Sequence, residues 1–264
     1  MLIKLVKYDL KWLLKIILIF LSLGVLFSFL GRVMNLLPNS IFFEIIKGIF
    51  VSAGISLSCS AIVNSIIRPW VRLTNNMYKD ESYLTNTLPI SRNTHYLSKC
   101  ISGLICLVIS VVVTIINLFI LYYSKENILV IKEALNMMSN TLNISVVLFL
   151  ILVFFVVLLE LLFILQCGYF GIIYGHTHNK NKFRNSFMFC LICYMIASII
   201  SIIIMVIVSL FDDGLKSIIL GGTTVIEFEL LKVLMIFASI IYVIYVVALY
   251  FINSKILKKG INIE

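Results

Sequence analysis

The sequence predicts an all-α polytopic membrane protein with six transmembrane helices. Three observations carry this. Hydrophobic residues make up 62% of the 264 positions and charged residues only 12%, about half the roughly 25% of an ordinary soluble domain. Too few polar side chains remain to cover a water-facing surface. The apolar residues also fall into six runs, each near or above the roughly 20 residues that cross a hydrocarbon core of about 30 Å. Finally, Lys and Arg gather between runs on alternate sides, as expected of chains that weave through a bilayer.

The runs are Trp12–Leu30, Ile41–Ile67, Cys100–Tyr122, Ile144–Gln166, Phe187–Leu210 and Leu230–Ile252. They form a single transmembrane domain over residues 1–264. The second is long enough to tilt, and the fourth extends to Tyr174 if Gln166-Cys167-Gly168 is included. Pro69 after Arg68 is expected to end the second span. The first run is too long for a cleavable signal, with no small-x-small site after it. Fifteen of the 21 basic residues fall on the side that holds both termini. That side is therefore expected to be the cytoplasm. Glu44, Glu126, Glu133, Asp212, Asp213, Glu227 and Glu229 fall on the other side. A net charge of +9 would suggest nucleic acid in a soluble protein. Here the basic residues flank spans, so topology accounts for them and no nucleic-acid partner is expected.

Between and before the spans the polar pattern is regular. In MLIKLVKYDLKWLLK, Lys4, Lys7, Lys11 and Lys15 recur at spacings of 3, 4 and 4, one stripe of a helix. Leu2, Leu5, Val6, Leu10, Leu13 and Leu14 supply the other side. Residues 1–14 therefore read as an amphipathic elbow helix with its lysines toward anionic head groups. Ser124–Asn140 suits a short interfacial helix. Asp212–Glu229 has a short apolar centre around Gly221-Gly222, and reads either as a dip into the membrane or as a solvent loop.

Few residues inside the spans carry chemistry. Glu160 is the one acid deep in a run, where a charge costs about 2.5–3.5 kcal/mol on insertion scales. It is either functional or a protonated carboxyl bonded across a helix interface. Asn64, Asn117 and Gln166 are the other polar groups at depth. Ser52, Ser56 and Ser60 recur every four residues before Asn64 and predict a close helix-packing face; Gly54 and Ser58 form a second such pair. The six cysteines lie in or beside apolar runs and read as packing residues, Cys190-Leu-Ile-Cys193 included. His176 and His178 form an HxH pair that no nearby Cys, Asp or Glu completes, so no metal site is expected. No glycine opens a phosphate-binding GxxxxGK[ST] loop. No catalytic residues are assigned.

The longest polar interval, Met77–Lys99, lies between spans two and three. Leu73, Met77, Leu84 and Leu88 fall at spacings of 4, 7 and 4, one helical stripe. Pro89 stops that helix and Ser91 caps the next. A short amphipathic helix held between two spans is a lever.

In its order of basic N-terminal helix, six spans and a connection reading KDESYLTNTLPISR…SK, the chain resembles the permease subunit of ABC-2 type ABC transporters, of the short bacterial kind. The resemblance covers the layout of the whole chain. Its residue match is concentrated in Asp80-Glu81, Tyr83-Leu84, Thr87-Leu88-Pro89-Ile90-Ser91 and Lys99. It implies that the two-to-three connection is a coupling helix docked in a groove of a separate ATPase dimer, through Tyr78, Asp80, Glu81, Tyr83, Leu84 and Leu88. It also implies a second permease subunit, identical or homologous. The chain itself would hold no cofactor, ATP and Mg being bound by the partner, and would not be an enzyme. Expected cargo is an amphipathic peptide, bacteriocin or other apolar substrate, in export or immunity. The EAA…G loop of ABC importers is absent. Outside this resemblance, a membrane enzyme or an ion-gradient-driven secondary transporter are the alternatives.

Overall fold

A computed structural model describes residues 1–36, 38, 40–79, 81–142, 144–210 and 228–259. Among them are eight α-helices, and six are long and apolar enough to cross a membrane. They are α1 (Leu2–Val33), α2 (Ile41–Met77), α3 (Ser82–Thr87), α4 (Arg92–Tyr122), α5 (Lys125–Leu142), α6 (Val146–Gly175), α7 (Lys182–Ser209) and α8 (Phe228–Lys259). All but α3 and α5 are the six candidate spans, and each overlaps its expected run. The chain is an all-α, multi-pass membrane protein. The helices fall into two compact units, Met1–Ile128 and Leu129–Gly260.

In the first unit α1, α2 and α4 pack on one another. The inward face of α1 is Asp9, Leu13, Ile17, Leu21, Gly24, Ser28 and Gly31, all buried. Steps of three and four keep these on one stripe, while Lys4, Lys7, Lys11 and Lys15 are exposed. The lysines thus face outward as expected. The elbow segment, however, is no separate element: residues 2–14 are the opening turns of α1. No Gly or Pro interrupts them, and the buried stripe runs through unbroken from Asp9 to Leu21.

Of the two small-residue sets expected on α2, the Gly54–Ser58 pair lies on the close face and the Ser52–Ser56–Ser60 repeat does not. Gly54, Ser58, Ala61 and Ser65 are buried, whereas Ser52 and Ser56 are exposed and Ser60 is half-buried. The inward stripe is therefore two positions out of register with the serine repeat. Its small residues bring backbones together: a Cβ on Gly54 would lie 2.4 Å from Ser28 Oγ and 3.4 Å from Gly24 O. Asn117 of α4 donates to Ser58 Oγ and to Gly54 O at 3.4 Å. Asn64, half-buried, donates to Ser60 O of its own helix at 2.8 Å, which satisfies its amide locally.

Pro69 does not end the second span. It lies inside α2, which runs on for two turns to Met77. Proline in a helix interior costs about 3 kcal/mol or more. What offsets it is burial beyond the proline, where Leu73 and Met77 are 0% and 1% exposed.

The ends of α1 fix the direction of this bundle. Near its C-terminus, Arg32 donates to Ile120 O at 3.2 Å and to Tyr123 O, and its guanidinium lies 4.9 Å from the Tyr123 ring centroid. Near its N-terminus, Asp9 meets Ser98 and Lys99. Helices α1 and α4 therefore run parallel, and the N-terminus and the α2–α4 connection share one end.

In the second unit α6 packs on α7 and on α8. Its core is Phe163, Cys167, Ala197 and Leu249. Phe163 lies with ring centroids 5.4–5.8 Å from Tyr194, Tyr242 and Tyr245. A Cβ on Gly171 would lie 2.4 Å from Ser186 O, so glycine is what lets α6 approach α7 there. Cys193 and Cys167 sulfurs are 3.7 Å apart within this core. His176 Nδ1 is 2.8 Å from Ile172 O, and His178 stacks on Phe189. Ser124–Asn140 is helical as expected, forming nearly all of α5. The Asp212–Glu229 segment lies outside the described residues up to position 227; Phe228 and Glu229 open α8.

Candidate functional site

Polar chemistry in the described residues concentrates where α1, α2, α3 and α4 meet. The sequence of α1 places Asp9 on the apolar side of its lysine stripe. On α2, Arg72 and Asn76 stand four residues apart and share a face. Glu81 occupies the N-cap of α3, and Ser98 and Lys99 lie in the second turn of α4.

The Asp9 carboxylate accepts from Arg72 Nε at 3.1 Å, from Ser98 Oγ at 2.7 Å and from Lys99 Nζ. Arg72 Nη1 donates to both Glu81 oxygens, at 2.8 and 3.2 Å. Asn76 closes the circuit. Its oxygen accepts from Lys99 Nζ at 2.8 Å, and its amide donates to Glu81 Oε2 at 2.5 Å. The result is a ring of side chains, Asp9–Arg72–Glu81–Asn76–Lys99, with two positive and two negative charges.

Asp9, Lys99 and Asn76 are 3%, 4% and 8% exposed. Such charges persist when each is paired and hydrogen-bonded; here each has at least two partners. Trp12 adds a flat wall. The Arg68 and Arg72 guanidinium carbons lie 4.2 and 5.3 Å from its ring centroid, within cation–π range.

The expected coupling residues divide into two groups. Tyr78 is 2% exposed and faces inward, and burial pushes its phenol above the ordinary tyrosine range. Glu81 also turns inward, into the ring. Tyr83, Leu84 and Leu88 are 67%, 74% and 46% exposed. Asp80 lies outside the described residues. The expected stripe through Leu73, Met77, Leu84 and Leu88 is not one face. Helix α2 ends at Met77 and α3 begins at Ser82, so Leu73 and Met77 are buried while Leu84 and Leu88 are exposed. The stripe count assumed one continuous helix; two separate helices do not keep its phase.

Asp9, Arg72, Asn76 and Ser98 escaped the sequence reading as site residues. One signal was present: Asp9 is the sole acid in the first fifteen residues, opposite the lysines. Its partners are 63 to 90 residues away, and nothing local announces them. Glu160 is half-buried at the middle of α6, in the other unit. Among the described residues no group of three His, Cys, Asp or Glu side chains converges.

No family model, no curated protein and no solved structure matches the chain.

Proposed function

We propose that the chain is the membrane-spanning permease subunit of an ATP-driven ABC-2 type exporter in a bacterial plasma membrane. It forms half of the path with a second permease subunit, and a cytoplasmic ATPase dimer binds ATP and Mg. Both termini and α3 lie on the cytoplasmic side. The cargo is an amphipathic peptide or another apolar substrate, in export or immunity.

One observation supports this most: the two-sided construction of Glu81 and the α3 helix that follows it. Its inner side is tied by Glu81 to Arg72 and Asn76, and through Arg72 to Asp9 on α1. Its outer side presents Tyr83 and Leu84, both more than two-thirds exposed. A lever needs both halves, a rigid root in the spans and a free apolar grip. A plain loop would leave Glu81 in water and carry no ring behind it.

The test is cross-linking in a functional complex. Tyr83→Cys, or Leu84→Cys, should cross-link to a cysteine in the groove of the cognate ATPase. Substitution at buried Tyr78 should not. Failure of both exposed positions to cross-link to any ATPase, in a complex that still transports, would sink this assignment.

A further inference from the structure

Trp12 carries two guanidinium groups, and only one of them has a counter-charge. Arg72, with its guanidinium carbon 5.3 Å from the ring centroid, is neutralised by Asp9 and Glu81. Arg68, one turn earlier on α2, lies closer, at 4.2 Å. Among the described residues no carboxylate pairs with it, and its buried Nε has no hydrogen-bond partner. Its platform is nonetheless fixed, because Trp12 packs against the core of Leu13, Ile17, Leu21, Ala61 and Cys106.

The contact also marks a level. The first apolar run begins at Trp12 and the second ends at Ile67, so the stack joins the two spans where both turn polar. Aromatic and basic side chains belong at that boundary. Lys15 is exposed one turn from Trp12 on α1. Side chains of a helix lean toward its N-terminus, and a long lysine stem carries its ammonium back toward the same level. The ring around Asp9 is balanced, so Arg68 and Lys15 are surplus cations among the described residues.

A guanidinium held by one face offers its edge as a planar fork, which suits two oxygens of a phosphate. At the boundary of hydrocarbon and water, that phosphate is the head of a phospholipid. A zwitterionic head brings its own cation and leaves the surplus in place; an anionic head removes it.

We propose that Arg68, Trp12 and Lys15 form a binding site for the phosphodiester of an anionic phospholipid. Arg68 supplies the fork, Trp12 holds it, and Lys15 adds a second cation. The site needs neither an ATPase nor a cargo, so its failure would leave the exporter reading untouched.

The probe is dioleoylphosphatidylglycerol, with dioleoylphosphatidylcholine as the neutral control. Each is added to the full chain in detergent and followed by native mass spectrometry. Wild type should retain phosphatidylglycerol at least fivefold more tightly than phosphatidylcholine. Arg68→Lys keeps the charge but loses the fork, and should weaken phosphatidylglycerol binding at least threefold. Arg68→Gln should weaken it at least fivefold. Lys258→Gln, which removes one exposed cation at the end of α8, should stay within twofold of wild type. Equal retention of the two lipids by wild type overturns the site. So does wild-type binding by Arg68→Lys, which would reduce the effect to diffuse attraction between charges. A loss in Lys258→Gln as large as in Arg68→Gln overturns it in the same way. Should Arg68→Gln fail to fold, the wild-type lipid comparison and Arg68→Lys decide. Excess inorganic phosphate should not displace the lipid; displacement would make free phosphate the ligand and overturn the lipid site.

Discussion

At the residue scale the ring around Asp9 sets the terms. Removing one member of a buried ion pair leaves a bare charge and costs about 3–5 kcal/mol. Asp9→Ala should therefore lower thermal stability sharply in detergent, since it strands Lys99 and withdraws one partner from Arg72. Asp9→Ala with Lys99→Met should recover much of that loss, because no uncompensated charge remains next to Asn76. A double mutant as unstable as the single would mean that the carboxylate acts through something other than its charge. Glu81→Gln differs from both. Its side chain is 45% exposed, so water relieves the lost charge. Fold stability should change by about 1 kcal/mol or less, while α3 loses an anchor. Faster hydrogen exchange in residues 82–87, with α2 unchanged, is the expected signature.

At the element scale the fold was largely legible. Each of the six apolar runs corresponds to a helix, and the start of α2 at Ile41 and the end of α4 at Tyr122 coincide with the runs that predicted them. The misses share one cause. Hydropathy stops a span at its first charges, so the runs began at Trp12 and Cys100, while the helices begin at Leu2 and Arg92. Two of those charges are not dissolved in water: Asp9 and Lys99 neutralise each other inside the protein. Pro69 misled for a related reason, since burial of Leu73 and Met77 outweighs the lost helical bond. Helix contacts were less legible. Serine repeats and glycines both signal close approach, and only three-dimensional phase tells which face is inside. Gly171→Ala should separate α6 from α7, because the new methyl meets Ser186 O and Cys190 at under 3 Å. A loss of about 1–3 kcal/mol is expected for such overpacking. Gly48→Ala, with nothing within 4 Å of the added atom, should be neutral or gain up to about 1 kcal/mol from helix propensity. Thermal unfolding of the two variants in one detergent makes the comparison.

At the scale of the whole molecule, the proposed topology makes a prediction for each connection. Within the first unit the N-terminus and the α2–α4 connection share one end; the proposed six crossings would add residues 176–181 to that side and put α5 opposite. With both termini proposed in the cytoplasm, Lys132→Cys on α5 should react with a membrane-impermeant maleimide in intact cells. Lys79→Cys should react only after permeabilisation. The reverse pattern would invert the topology and move α3 away from any cytoplasmic partner.

The distance along the chain between Asp9 and Lys99, 90 residues, also bears on how the protein is made. A ribosome adds about 5–20 residues per second, so Asp9 emerges on the order of ten seconds before its partner. During that interval the first span carries a carboxylate that nothing in the nascent chain neutralises except Arg72, itself 63 residues behind. The buried ring of α1 can therefore close only after α4 has been made, so its completion depends on the order of synthesis.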